Sequence, residues 1–283
     1  MSALKIQAIV DNELRQGTQG LATEAGLSYW IEYMGRTFLF DAGEGDAIRV
    51  NLPKLQKTLQ DVDGVIISHG HHDHLGGMDW VLEQVNPSVP IYAKDSVTDP
   101  IWSNRATGMA YAGVKPELVK PIQARLHAVE AVEEIEPGFF LVARASDRYP
   151  QPGSSQFLFE GQEGSLHLDS FAHECFIVVR LEEGLVVISG CSHQGIANMV
   201  DRAQDLFPGE PVVSVIGGFH LQGRKPDFEE SQETIETVAN YLREQVTGTI
   251  YTGHCTSLPG FEGLQKILKD QVQYFYTGDI LTF

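Results

Sequence analysis

The sequence is poor in basic residues, in cysteine and in long apolar runs, and each shortage excludes something. Against 38 Asp and Glu there are only 20 Lys and Arg, a formal net charge of −18. Such a surface repels phosphate backbones, so a long nucleic-acid partner is disfavoured and a nuclease is not the first expectation. Apolar runs such as 212–216 fall far short of the roughly 20 residues that cross a bilayer, so no membrane partner is expected. Three cysteines, Cys175, Cys191 and Cys255, are too few and too scattered for a disulfide framework. The opening residues lack the basic and apolar regions of a signal peptide, and a cytoplasmic location is the expectation. There is no repeat, no low-complexity tract and no Pro/Gly/Ser-rich linker. Residues 1–283 are therefore read as one domain, although length alone sets a soft prior of about two.

What is present is a recurring pattern. A short β-branched or aromatic run ends in a Gly/Asp/His cluster, and a helical segment usually follows. The runs lead into Asp41, into His69-Gly70-His71-His72-Asp73-His74, and into Gly190-Cys191-Ser192-His193. Two more lead into Gly217-Gly218-Phe219-His220 and Gly253-His254-Cys255. Continuous apolar runs suit strands covered on both faces. Ile196, Met199, Val200, Ala203, Leu206 and Phe207 keep helical spacing, as do Phe228, Ile235, Val238, Ala239, Leu242 and Val246. Strands alternating with helices predict an α/β fold, in which ligands gather beyond the carboxyl ends of strands. Glu182-Glu183-Gly184 reads as a hairpin turn, so the sheet it joins is mixed. Residues 87–168, broken by Pro, Gly and polar positions, read as a long irregular excursion over the site.

Four candidate ligands within six residues, His69, His71, Asp73 and His74, just after a strand, point to a metal centre. Imidazole and carboxylate donors suit zinc foremost, with iron or manganese as alternatives. His69 and His71 can converge on one ion, and Asp73 and His74 can address a second. Gly76 and Gly77 allow close backbone passage beside them. His193 and His254, at matching strand ends, are expected to be ligands. His220 occupies the same type of position and is read equally as a ligand or as a pocket residue. Asp41 is expected to orient a ligand histidine from behind.

These residues resemble the metallo-β-lactamase superfamily, whose motif is His-x-His-x-Asp-His after a strand. The resemblance implies an αββα sandwich of two mixed sheets with a dinuclear site at one edge. It puts His69 and His71 on one ion and Asp73, His74 and His254 on the other. A narrower resemblance adds Val10-Asp11-Asn12, Gly26-Leu27-Ser28, Gly190-Cys191-Ser192-His193-Gln194-Gly195 and His254-Cys255-Thr256. It is to the branch called 7,8-dihydropterin-6-methyl-4-(β-D-ribofuranosyl)aminobenzene 5′-phosphate synthase-like. Two departures stand out. The Gly-His-Thr turn that gives many members a third histidine is missing, and Cys191 stands where they carry the bridging aspartate. His193 is the obvious replacement ligand, and His173, with Asp169 and Glu174 nearby, can also reach the site.

A divalent ion lowers the pKa of its bound water to about 7 and polarises carbonyl or phosphoryl oxygens. The expected activity is hydrolysis of a small phosphorylated, ester or lactone metabolite, with Asp73 orienting the water and His220 serving the leaving group. The alternatives are a pterin-linked transferase and a non-catalytic metabolite sensor. Arg105, Arg144 and Arg148 are candidates to clamp an anionic group, and Trp102, Tyr111 and Tyr149 to stack a planar ring.

Overall fold

The computed structural model describes residues 4–222, 228 and 230–283. Two seven-stranded sheets face each other. The first runs in the order Ile280–Thr282, Leu4–Val10, Ser28–Tyr33, Arg36–Phe40, Gly64–Ile66, Ile91–Ala93 and Leu126–Ala128. The second runs Val272–Tyr274, Val246–Thr252, Val212–Gly217, Leu185–Ile188, Phe176–Arg180, Phe139–Val142 and Val132–Glu136. Both sheets are mixed, as expected. Arg36–Phe40 pairs parallel with Gly64–Ile66, whereas Phe176–Arg180 pairs antiparallel with Leu185–Ile188 across the predicted hairpin. Gly184 in that turn has φ +138, and a Cβ there would lie 2.3 Å from the Pro211 carbonyl oxygen, so the position requires glycine.

Three apolar clusters account for the layering. One fills the space between the sheets, with Ile6, Tyr29, Ile31 and Phe40 from the first meeting Phe139, Ile177, Val186 and Ile188 from the second. The second lies outside the first sheet, beneath Ala47–Lys54, Met78–Gln84 and Pro116–Gln123. The third lies outside the second sheet, beneath Ile196–Leu206, Gln232–Gln245 and Ser257–Leu268. The result is the αββα sandwich. The helical pattern from Phe228 to Val246 narrows to Gln232–Gln245, because Ser231 caps the start with its side chain and Val246 already begins the next strand. Among the described residues, no helix is long and apolar enough to cross a membrane.

Residues 87–168 correct an expectation. They are not irregular, but hold a short helix, the edge strands of both large sheets and a third sheet. That four-stranded sheet runs Ser165–Leu168, Leu158–Gln162, Ile101–Arg105 and Gly108–Tyr111. Its strands are short, and their alternation is hidden by turn residues such as Gly108 and Gly164, both at positive φ.

Candidate metal centre

The predicted strand ends converge. Gly64–Ile66 delivers residues 69–74, Leu185–Ile188 delivers Cys191 and His193, and Val246–Thr252 delivers His254. The backbone is bent unusually here: Asp41, Phe171, Ser192, His220 and His254 all have φ between 48° and 58°. Non-glycine residues seldom adopt this region, and their concentration at one edge marks a site held in shape by its neighbours. The glycines after the histidine motif are dictated by contact. A Cβ on Gly76 would stand 1.7 Å from the Glu44 carbonyl oxygen, and one on Gly77 would stand 2.4 Å from that of Ala42.

The hydrogen bonds fix the ring tautomers. Asp41 Oδ1 accepts the Ser68 N–H at 2.8 Å, and Oδ2 accepts the Ser68 hydroxyl at 2.6 Å and lies 2.6 Å from His74 Nδ1. A carboxylate accepts only, so His74 carries its proton on Nδ1. The Ser68 hydroxyl proton is committed to Asp41, so toward His69 Nδ1, 2.8 Å away, Ser68 is the acceptor. His254 Nδ1 faces the Asn12 side-chain oxygen at 3.0 Å, while Asn12 Nδ2 donates to the His254 carbonyl at 3.4 Å. His69, His74 and His254 thus all present an Nε2 lone pair on the inner side.

Those inner atoms crowd together. His69 Nε2 lies 3.2 Å from His193 Nε2, His74 Nε2 lies 3.1 Å from Cys191 Sγ, and His254 Nε2 lies 3.6 Å from Asp73 Oδ2. The rings of His69, His71 and His193 are mutually 4.6–4.8 Å apart. Burial, and then the neighbouring imidazoles, hold His69 and His193 well below the usual histidine range, so both stay neutral. Buried nitrogens facing one another at this spacing, beside a buried thiol 3.1 Å from His74 Nε2, fit a cation between them. Within 4.8 Å of one another lie ligand atoms of His69, Cys191 and His193, and likewise those of His74, Cys191 and His254.

A second ring of side chains braces the first. Glu174 accepts the backbone N–H groups of His193 at 2.7 Å and Gln194 at 2.8 Å, and Phe171 stacks on the His193 ring at 4.7 Å. His173 does not turn toward His69: its Nδ1 accepts the Gly70 N–H at 3.2 Å and its Nε2 faces Asp169 at 3.1 Å. Asp169 Oδ2 in turn lies 3.8 Å from His71 Nε2, a buried atom with no hydrogen-bond partner. Burial alone would raise the Asp169 carboxyl, but its hydrogen bond to His173 and the nearby His71 imidazole outweigh that and hold it below the usual carboxylate range. Ser68 was not singled out from the sequence, while Asp169 was named only as a neighbour of His173 and Asn12 only within the Val10-Asp11-Asn12 resemblance.

A cavity of about 250 Å³ opens onto this cluster, lined by His71, Asp73, Cys191, His193, His220 and His254, with Arg105, Ser103, Ser154 and Phe157 among the residues on its walls. His220 is a wall residue whose ring stands 4.2 Å from that of His193. Ser154 donates its hydroxyl to the His220 carbonyl at 2.8 Å and therefore accepts from His220 Nδ1 at 2.6 Å. Among the clamp and stacking candidates, only Arg105 lines the cavity. Arg148 pairs at the surface with Asp201 at 2.7 Å and Asp205 at 2.8 Å. Arg144 lines a separate recess, and Tyr149 packs on Tyr241. Trp102 donates to the Gly161 carbonyl and meets Tyr111 edge-on.

The comparisons with known proteins agree with this fold. The family model of the metallo-beta-lactamase superfamily matches residues 22–254, and the chain belongs to that superfamily. It is similar to the 7,8-dihydropterin-6-methyl-4-(beta-D-ribofuranosyl)-aminobenzene-5′-phosphate synthase of Methanocaldococcus jannaschii, at 26% identity over 92% of this chain and 90% of that one. Among solved structures it resembles Tm1679, described as a metal-dependent hydrolase of the beta-lactamase superfamily. That match has a TM-score of 0.80 and 28% identity, and covers 98% of both chains. A diphosphatase of the PhnP family shares the fold at a TM-score of 0.55 and 15% identity, over 99% of this chain and 98% of that one.

Proposed function

We propose that this chain is a two-metal hydrolase acting on a small phosphorylated, ester or lactone metabolite. The observation that carries the reading is the convergence of buried imidazoles at one edge, with His69, His74 and His254 turned to present Nε2 and with His69 and His193 held neutral. His69, His71 and His193 would hold one ion, and Asp73, His74 and His254 the other. Zinc suits these donors best, with iron or manganese as alternatives. Such ions supply Lewis acidity and a nucleophile competent at neutral pH.

The chain's own groups do the rest. Asp73 orients the attacking water and receives its proton. Neutral His220 carries its proton on Nδ1 toward Ser154, so its Nε2 accepts a proton and returns it to a leaving group only as the imidazolium. Arg105, the one Arg or Lys among the described lining residues, meets an anionic part of the substrate. The free cysteines, two of them buried, go with a reducing cytoplasm.

A second reading is favoured by the likeness to the archaeal synthase over nearly the whole of both chains. In it the same cavity joins a dihydropterin to an aminobenzene ribose phosphate, and the ions grip a diphosphate leaving group. Elemental analysis, with assays on phosphomonoester, phosphodiester and lactone substrates, tests both readings against His71→Ala. Two ions per chain with turnover lost in the variant support the hydrolase. Full metal with diphosphate released only when both pterin-pathway substrates are present supports the transferase. Less than one ion per chain after reconstitution sinks both.

A further inference from the structure

We propose that Cys191 is the ligand shared by the two ions, a thiolate in the place where many members of the superfamily carry a carboxylate. The inference rests on the metal-centre reading and specifies its middle. Cys191 Sγ belongs to both groups of converging donors, the one with His69 and His193 and the one with His74 and His254. The side chain is 2% exposed and lies 3.1 Å from His74 Nε2, an atom that offers a lone pair because Asp41 takes the proton on Nδ1.

The loop leaves Cys191 little freedom to be elsewhere. Gly190 is pressed on the residue that braces His69: a Cβ there would stand 2.3 Å from Ser68 Oγ. Ser192, at φ 57, turns the chain so that Cys191 and His193 both reach the centre. It is pinned by bonds to the Gly218 carbonyl and the Ser189 hydroxyl, each at 2.7 Å. An arriving divalent ion takes the sulfur lone pair, and the S–H proton passes to solvent. A thiolate at the centre selects zinc, cobalt or ferrous iron and disfavours magnesium and manganese.

The test uses cobalt as the probe in the full-length protein. Two bound cobalt ions with an intense near-ultraviolet sulfur-to-metal band, and a sulfur scatterer at about 2.3 Å by X-ray absorption, are expected. Cys191→Ser should abolish the band and weaken both ions, each at least tenfold, whereas weakening of one ion alone would make Cys191 a ligand of that ion only and overturn the shared role. Cys255→Ser, altering the other thiol on the cavity wall, should keep the band. Cys191→Asp should still bind two ions but show no band, which separates a lost ligand from a misfolded chain. Two cobalt ions without a sulfur band, or a band that survives in Cys191→Ser, would overturn the proposal while leaving the hydrolase reading intact. A protein that binds no cobalt overturns both.

Discussion

Asp41 and His74 meet at 2.6 Å, both side chains wholly buried, and the same carboxylate oxygen reaches His69 through the Ser68 hydroxyl. One carboxylate therefore sets the tautomer of a histidine on each side of the centre. In the two-metal reading, Asp41→Asn should lower the affinity of both ions, by about 10- to 100-fold, the usual loss when such a partner is removed. Competition with a chelator measures it. Loss at one ion alone would contradict the shared control.

Gly76 is required by contact rather than by conformation, since its φ of −63 suits any residue. Gly76→Ala drives a methyl into the backbone of Glu44, where no side chain can give way. Destabilisation of about 1–3 kcal/mol or more is expected, read as a lower urea midpoint. An unchanged midpoint would show that the Glu44 loop yields freely.

Arg105 and Arg148 provide a contrast. Arg105→Met should raise KM for a phosphorylated substrate about tenfold or more with metal content unchanged. Arg148→Met should leave KM alone and alter stability by about 1 kcal/mol at most, because its partners are at the surface. Equal effects of the two substitutions on KM would remove Arg105 from the binding role.

Glu174 links the metal-free protein's stability to pH. Burial raises its carboxyl from 4.5 to about 7, against the pull of two backbone N–H groups. Between those values the folded chain holds a proton that the unfolded chain has released. Its contribution is complete below about 4.5 and is lost as pH rises through about 7, at about 1.4 kcal/mol per unit of displacement. Asp11, also raised to about 7, slopes the same way. Denaturant titrations of the chelated protein should show stability falling across this window, and Glu174→Gln should flatten the fall in part while lowering the plateau. A slope unchanged by the substitution would mean that Glu174 is already ionised.

The parts of the centre that were legible in the sequence are those that lie close along the chain or close a strand. Residues 69–74 announce themselves by density, and Asp41, His193 and His254 by their place after apolar runs. Asp169 and Ser154 carry no such mark, and Asn12 and Ser68, though they follow apolar runs, are short polar side chains that do not stand out as ligands. Asp169 reaches His71 and Asn12 reaches His254 because separate segments pack side by side, which no local spacing encodes. The sandwich was legible because each of its layers has its own periodicity. The four-stranded sheet was not, since its strands bury few residues and carry little apolar alternation.

Asn12 grips His254 by both its side-chain oxygen and its side-chain nitrogen, across 242 positions of chain. During synthesis on the ribosome, Asn12 and the cluster at 69–74 emerge long before the residue that closes the second ligand group. A truncated product ending short of His254 would carry the most recognisable motif of the sequence and still lack that group. Detecting the motif in a fragment is therefore no guide to whether the fragment can work.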